Sequence, residues 1–562
     1  MRTAMKRGLA LLWIAVTGVG AQEPPSPLPA QIVRAEIMAG GVQGASHGDL
    51  ARYRPALLRV YPDSTARGIW VADARLTRQA EAVLAELVAA QARGLRPSDY
   101  DAESLARAAT VLRSGAPDAT QGAELLRIDA RLTLSAMRFM DHAHRGRADP
   151  RSLGFAFPRP HGQHDLARLV VALSRAPDVH AMLDSLEPPF SRFRALEGLL
   201  SRYRTLAADS TLSALPKLSS PVRPGERWNG MPALQRLLIA LGDITATTAA
   251  SLHAENDSFS DALVEGVKHF QQRHGLAPDG TIGTATLAQL RTPLIKRIAQ
   301  IELTMERWRW LPDITSRRIV VVNIPAFRLY AFDRTTAVGA ERPVERMDVI
   351  VGSAYLRRHT PVFTGEVRYV VFHPYWDVPA SIARSEEIPR LRRDPGYAER
   401  VGLEIVRGGD VGATVYPISN ANLQRVAAGT LRLRQRPGPR NALGSVKFVF
   451  PNQYSVYLHG TPAQSLFART RRDFSHGCIR VSDPARLAEF VLKGEAAWDG
   501  ARIEGAMREP GRLLRVTLDR PLPVYILYAT AVADDDGVPF FYADLYGHDA
   551  ALARALRLPG TP

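Results

Sequence analysis

The sequence is poor in cysteine and in long apolar runs. Cys478 is the single cysteine in 562 residues, so no disulfide can form within the chain. The marked apolar run, over residues 8–19, is twelve residues long, fewer than the roughly 20 that a membrane-spanning helix needs. These shortages exclude a disulfide-stapled scaffold and a bundle of membrane spans. An exported thiol that has no partner also raises the question of a chemical role for Cys478.

The N-terminus has the pattern of a secretory signal. Basic residues precede the apolar run, and small residues follow it up to Ala21. This pattern predicts a signal peptide over residues 1–21, followed by a proline-rich, flexible leader over residues 22–55. An uncleaved N-terminal anchor is the alternative, and it would associate the protein with the inner membrane.

Acidic residues are fewer than basic ones, 56 against 72, which gives a formal net charge of +16. Such a balance suits an anionic partner such as nucleic acid, anionic lipid or an acidic wall polymer. Export argues against nucleic acid, and the sequence has no zinc-finger, RNP-like or basic-helix motif. A solvated surface rich in arginine is the simpler explanation for most of these charges.

Hydrophobic periodicity divides the chain into three parts and predicts an α+β multidomain protein. Apolar residues at helical spacing predict an all-α scaffold domain over residues 56–215, and three short helices predict a compact domain over 228–292. Over residues 300–550 the period becomes two, and β-branched and aromatic residues predict a β-rich domain with helical inserts. A charged stretch, residues 385–436, is predicted as a helix- or loop-like insertion between strands.

Two strand-like segments carry the candidate chemistry. His459 ends the segment SVYLHGT, nineteen residues before Cys478 in SHGCIRV. Strand alternation puts Tyr457 and His459 on one face and, if the second segment is extended, Cys478 and Arg480 on one face. A thiol attacks an acyl carbon as thiolate and therefore needs a base or a positive neighbourhood. The pattern indicates a nucleophile facing a cleft, with a buried cysteine beside a surface histidine as the alternative.

Three neighbours of Cys478 suit that chemistry. Gly477 permits unusual backbone dihedrals and a close approach, and the amides near Cys478 can hold an oxyanion. Arg480 can promote the thiolate or bind a carboxylate. His476, two residues before the cysteine, is a second candidate base.

The segment His459-Gly460-Thr461, followed by Ser475-His476-Gly477-Cys478, resembles the signature of the YkuD-type L,D-transpeptidases, which cross-link peptidoglycan. ERWRWLP, VVNIPAFRLY and TPVFTGEVRYVVFHPYWDVPASIA are similar to the large YcbB-like Gram-negative branch. VKHFQQRHGLAPDGTIGTATLAQL resembles a three-helix peptidoglycan-binding repeat. Many members of the family have asparagine where this sequence has Arg480, which bears on how the substrate is oriented.

The resemblance implies a role for each residue of the motif. Cys478 is the nucleophile, and His459 is the proton donor and acceptor, oriented by a backbone carbonyl near Gly460. The secondary positions are the loop residues Ser475, His476 and Gly477 and the substrate-binding residues Arg480, Tyr457 and Trp376. For Tyr457 and Trp376, packing is nearly as good an explanation as a place in the wall of the donor site.

The resemblance also implies an activity in the periplasm. The reaction joins stem peptides by 3→3 cross-links through a thioester, releases D-alanine, and needs no cofactor or metal. The implied partners are peptidoglycan stem peptides and glycan, carbapenems that acylate the cysteine, and other wall-synthesis proteins, with no nucleic acid. The insertion 385–436 would be a lid over the site. The alternatives are an L,D-carboxypeptidase, a hydrolase of protein–peptidoglycan links, and a non-catalytic wall-binding scaffold.

Overall fold

The computed structural model describes residues 29–45, 50–62, 67–73, 75–114, 121–157, 165–212, 215–250, 258–312, 314–334, 342–355, 358–394, 396–409, 412–508 and 512–558. The predicted signal peptide over residues 1–21 lies outside these ranges. None of the helices within them is long and apolar enough to cross a membrane.

The N-terminal part is helical. Its elements are α1 (Pro29–Ala39), α2 (Leu50–Val60), β1 (Val71–Ala72), β2 (Arg75–Leu76), α3 (Arg78–Val88), α4 (Ala102–Ser114), α5 (Gln121–Arg145), α6 (Leu166–Leu173) and α7 (Val179–Asp184). In place of the flexible leader predicted over residues 22–55, α1 and the start of α2 are ordered helices. Val33 and Ile37, one turn apart on α1, are buried in the same apolar core as residues of α5.

The next helices are α8 (Ser191–Ala208), α9 (Met231–Leu241), α10 (Ala246–Ala250), α11 (Asp261–Arg273), α12 (Thr284–Leu290) and α13 (Leu294–Trp308). Helix α8 falls within the predicted scaffold range, 56–215, yet it packs against α13 and shares a core with α9, α11 and α12. The scaffold core therefore ends before α8. A helical period shows which face is apolar, but it does not show which neighbour covers that face.

The C-terminal part contains strands β3 (Arg318–Asn323), β4 (Arg328–Asp333), β5 (Glu345–Ile350), β6 (Phe363–Phe372), β7 (Trp376–Asp377), β8 (Leu403–Arg407), β9 (Thr414–Tyr416), β10 (Arg432–Gln435), β11 (Val446–Val449), β12 (Leu458–His459), β13 (Ile479–Val481), β14 (Leu514–Leu527), β15 (Ala531–Ala533) and β16 (Pro539–Phe541). Its helices are α14 (Ala380–Ile382), α15 (Ile388–Arg393), α16 (Tyr397–Val401), α17 (Asn420–Ala427), α18 (Pro484–Leu492), α19 (Gly500–Arg508) and α20 (His548–Ala555). Sheet and helices together form the predicted β-rich domain with helical inserts.

Eight of the described strands form one closed sheet, in the order β11-β12-β13-β5-β4-β3-β14-β6. Alternate residues of each strand point inward and bury an apolar core that includes Val446, Leu458 and Ile479. Strands β12 and β13 are adjacent and parallel, with Leu458 paired to Ile479 and His459 to Arg480. This pairing joins two segments that are about twenty residues apart in the chain.

The insertion is a separate small sheet with helices, in the order β7-β10-β8-β9. The predicted insertion begins at residue 385, whereas the sheet takes in Trp376–Asp377 through the pairing of β7 with β10. Its strands are only two to five residues long and alternate with short helices, which is why the sequence reads there as helix or loop. We call residues 376–435 the cap.

Helix α13 connects all three parts. The Glu306 carboxylate accepts a hydrogen bond from the Ala148 N–H at 2.8 Å, and Thr304 Oγ1 accepts one from the Ala531 N–H at 3.2 Å. Arg309, just after the helix, forms a fully buried ion pair with Glu187 at 3.2 Å. The domains are therefore packed together through polar contacts, two of which are fully buried.

Candidate active site

Strands β12 and β13 bring four polar side chains to the outer face of the closed sheet. Because His459 and Arg480 are paired across these strands, they share a face, and Tyr457 and Cys478, two residues before each, belong to the same face. The intervening Leu458 points into the core. The same alternation that fills the core therefore places a thiol, an imidazole, a phenol and a guanidinium side by side.

His459 is a buried, oriented, neutral imidazole. Its Nδ1 lies 2.5 Å from the Gly460 carbonyl oxygen. Since a carbonyl only accepts, Nδ1 carries the proton and Nε2 is left as the basic atom. Burial, followed by the charge of Arg480, lowers the pKa of His459 to about 3. The ring therefore does not hold a proton at rest.

Gly444 makes this orientation sterically feasible. It has φ +65°, and a Cβ there would lie 2.8 Å from the carbonyl carbon of Gly460, closer than a side chain allows. The Gly460 N–H donates to the Val446 carbonyl at 3.0 Å. Gly444 therefore lets its loop press against the peptide that orients His459. We did not predict Gly444 as a site residue.

Cys478 is half-buried and uncharged at rest. Its thiol contacts the Ser455 carbonyl oxygen at 3.7 Å. Burial raises the pKa of the thiol, and hydrogen bonding with Tyr457 and the charges of Lys447 and Arg480 offset only part of this. Burial thus outweighs the thiolate-promoting effect that we predicted for Arg480. Thiol and imidazole are both neutral until a proton passes between them.

The reactivity of Cys478 toward iodoacetamide should therefore rise with pH and keep rising beyond the ordinary thiol pKa. The thiolate fraction controls the rate, and His459, neutral above about pH 4, supplies no positive charge that would stabilise a thiolate near neutrality. The rate can be measured from about pH 6 to 10 by mass spectrometry, and the single cysteine makes the label unambiguous. A rate that levels off below about pH 7 would instead indicate a thiolate–imidazolium pair.

The loop before Cys478 is held by its own serine. Ser475 Oγ donates to the Cys478 carbonyl at 2.5 Å and accepts the Gly477 N–H at 3.1 Å. Gly477 has φ +118°, a conformation that other residues rarely adopt. Within the described residues the Cys478 N–H has no acceptor. This free N–H beside the sulfur is a candidate donor to an oxyanion.

His476 is engaged elsewhere. Its Nε2 lies 2.6 Å from Glu386 Oε1 and is also bonded to Arg358, which reaches the same carboxylate at 2.8 Å. Burial works against ionisation of Glu386, but the bonds from His476 and Arg358 outweigh it and lower its pKa. Glu386 is in a π-helical turn, Ala383–Glu387, of the cap. His476 thus connects the cap to residues 475–478, which we call the cysteine loop. Of the two histidines, His459 is the one that shares a strand face with Cys478.

Arg480 provides a positive charge without a carboxylate partner among the described residues. Its Nε is buried and has no hydrogen-bond acceptor there, and burial lowers the pKa of its guanidinium. The Lys447 ammonium, on the neighbouring strand β11, lies 5.0 Å from the centre of the Tyr457 ring. The face around the thiol therefore suits a substrate that carries a carboxylate.

Trp376 is not one of the residues that β12 and β13 bring together. It lies on β7, paired with Gln435 of β10, and packs against the apolar core of the cap. This contact favours packing over the predicted place in the donor-site wall. Tyr457, by contrast, is 5.6 Å from the His459 ring, and its pKa is raised by burial and then by Cys478.

Comparisons with known proteins agree with this geometry. Residues 317–504 match the YkuD family, described as "L,D-transpeptidase catalytic domain". The chain contains a YkuD-type L,D-transpeptidase catalytic domain. Residues 55–200 match a "Scaffold domain" and residues 229–290 a "Putative peptidoglycan binding domain", so the protein also carries a peptidoglycan-binding module.

One relative is a Haemophilus influenzae protein named "Putative L,D-transpeptidase". It is 30% identical over 254 residues, which cover 44% of this chain and 48% of the relative. The chain thus matches about half the length of that curated relative. The catalytic domain contains Cys478 and His459, and no group of three or more potential metal ligands is found in the described ranges.

Proposed function

We propose that this protein is a peptidoglycan L,D-transpeptidase that forms 3→3 cross-links through a thioester on Cys478. The observation that carries the proposal is the pairing of β12 and β13, which sets Cys478 and the oriented imidazole of His459 on one face. The YkuD family match supports the reaction class. The acyl donor would be a tetrapeptide stem with diaminopimelate at its third position.

In the first half-reaction, the thiol proton passes to Nε2 of His459 while sulfur attacks the carbonyl carbon of the third residue. A C–S bond forms, and the oxygen becomes an oxyanion that the Cys478 N–H can bind. As the oxyanion collapses, the C–N bond to the terminal D-alanine breaks. His459 returns the proton to the leaving nitrogen, so D-alanine leaves as a neutral amine. The thioester remains on Cys478.

In the second half-reaction, the side-chain amine of a second stem attacks the thioester. His459 accepts a proton from the attacking nitrogen, a C–N bond forms and the C–S bond breaks. The proton then returns to sulfur, which restores the neutral pair. The depressed pKa of His459 suits the proton-donating step of each half-reaction, because a buried imidazolium gives up its proton readily.

The cap supports transfer to an amine over transfer to water. Glu386 attaches it to the cysteine loop through His476 and Arg358, and a covered thioester is protected from hydrolysis. An L,D-carboxypeptidase or a hydrolase of protein–peptidoglycan links would use the same residues with water as the acceptor. A wall-binding scaffold without catalysis would not explain why a thiol and an oriented imidazole share one face.

The remaining parts of the proposal concern location and partners. The peptidoglycan-binding module supports peptidoglycan as the substrate, and the scaffold domain and cap support membership of the YcbB-like branch. We propose a periplasmic enzyme, exported by residues 1–21, that carbapenems acylate at Cys478. Arg480 is proposed to hold a carboxylate of the donor stem.

Incubation of the mature protein with purified disaccharide-tetrapeptide tests the proposal. Mass spectrometry should reveal a cross-linked dimer that has lost one D-alanine. Tripeptide alone would mean that water is the acceptor and would replace the transpeptidase with a carboxypeptidase. Unchanged tetrapeptide under conditions where the protein is folded would overturn both enzymatic functions.

A further inference from the structure

Thr360 makes a buried contact with the cysteine loop. It is fully buried, its Oγ1 donates to the Gly477 carbonyl at 2.8 Å, and the same oxygen accepts the Gly352 N–H at 2.8 Å. The segment around Gly352 is also bridged to Ser475. The Ser353 N–H donates to the Ser475 carbonyl, and the Ser475 N–H donates to the Val351 carbonyl, both at 2.9 Å. Thr360 therefore joins two backbone segments at the base of the loop that carries the nucleophile.

The contact determines the direction of a neighbouring N–H. The Gly477 carbonyl and the Cys478 N–H belong to one planar, trans peptide, so they point in opposite directions. Holding the carbonyl toward buried Thr360 turns the N–H away from the interior. The unusual φ of Gly477, +118°, lets the chain adopt this orientation. The same N–H has no acceptor within the described residues, so it is available for a ligand.

Tyr546 supports Thr360 from behind. Its hydroxyl donates to the Gly352 carbonyl at 2.6 Å and accepts the Thr360 N–H at 3.3 Å. The ring stacks on His359 at 4.1 Å with an interplanar angle of 9°. Tyr546 lies beyond residues 317–504, the range that matches the catalytic family. The C-terminal segment thus contributes directly to the backbone that Thr360 holds.

We propose that Thr360 is a positioning residue that orients the Cys478 N–H as an oxyanion donor, and that Tyr546 keeps Thr360 in place. The inference rests on the proposed function, since it assigns how that reaction's anionic intermediate is bound. It requires that loss of the Thr360 hydroxyl slows acyl transfer to sulfur but leaves the intrinsic reactivity of the sulfur unchanged.

Two reactions at Cys478 separate these effects. Acylation by meropenem opens the lactam: a C–S bond forms, the ring C–N bond breaks, and an oxyanion develops at the carbonyl. Alkylation by iodoacetamide displaces iodide and develops no oxyanion. Both rates can be read by mass spectrometry on the full chain, since it has one thiol. Thr360→Val preserves the shape of the side chain and removes the hydroxyl, and Thr360→Ser keeps the hydroxyl.

We expect Thr360→Val to slow acylation by about tenfold to a hundredfold, because direct loss of an oxyanion donor costs about 10²–10³, and to change alkylation by less than about twofold. Thr360→Ser should recover most of the acylation rate. Tyr546→Phe should slow acylation less than Thr360→Val does, again without changing alkylation.

Wild-type rates of acylation in Thr360→Val would overturn the inference and leave the proposed function intact. Equal losses in acylation and alkylation, with no recovery in Thr360→Ser, would also overturn it, because they indicate general damage to the loop. A wild-type protein that is neither acylated nor able to release D-alanine from tetrapeptide would overturn the proposed function, and this inference with it.

Discussion

Replacing Cys478 with alanine is expected to lower the rate of D-alanine release by about 10⁴-fold or more, because the variant lacks the atom that carries the acyl group. The chain contains no second thiol that could substitute for it. The measurement is D-alanine release from disaccharide-tetrapeptide, combined with the intact mass of the protein, which should gain no acyl adduct. Turnover by the alanine variant at more than a few per cent of the wild-type rate would remove Cys478 from the mechanism.

A serine variant is the matched comparison. Cys478→Ser keeps a polar atom of similar size near the Ser455 carbonyl, so the loop should retain its structure. We expect nearly the same loss as in the alanine variant, since a hydroxyl ionises far less readily than a thiol. The melting temperatures of both variants report whether the domain is still folded. This pair separates the loss of a nucleophile from the loss of the fold.

Replacing His459 with glutamine is expected to slow both half-reactions by about 10²–10⁴-fold, the usual contribution of a general acid–base group. Glutamine places its amide where Nε2 lies but has no atom that accepts a proton near neutral pH. Acylation by the tetrapeptide, measured as the burst of D-alanine, should fall together with steady-state cross-linking.

The matched control is His476→Gln, which replaces the histidine two residues before Cys478, whose Nε2 contacts Glu386. We expect it to reduce turnover by less than about tenfold, because its loss loosens the cap but leaves the acid–base group in place. Equal losses in the two variants would contradict the assignment of His459, and a larger loss at His476 would make His476 the candidate base.

The face that carries the site follows from a local rule. Alternation along β12 turns Leu458 toward the core and places Tyr457 and His459 on the other face. Along β13 it turns Ile479 toward the core and places Cys478 and Arg480 on that same outer face. The antiparallel pairings of β3 with β4 and of β15 with β16 likewise join strands that are close neighbours in the sequence. These features depend on neighbours in sequence, which is why the sequence is informative about them.

The residues that support the site could not be predicted in this way. Thr360 is 117 positions from Gly477, and Glu386 is 90 from His476. A threonine before a strand or a glutamate in a charged helix has no local signal that names its partner. Gly444 is similar, because its conformation matters only where two loops meet. Trp376 is a different case, because its proposed role came from the resemblance alone, and the structure shows it packed against the core of the cap.

The shared core of the helical and strand-rich parts has a mechanical consequence. Phe541 of β16 lies in the same apolar cluster as Val267 and Phe270 of α11, and the Gln300 side chain donates to the Tyr542 carbonyl at 3.1 Å. The module of residues 229–290 is therefore packed against the C-terminal part of the chain. If that module binds a glycan strand, this packing would set the distance between the bound glycan and the Cys478 thiol. The distance between the bound glycan and a new cross-link would then be determined by the fold of the protein.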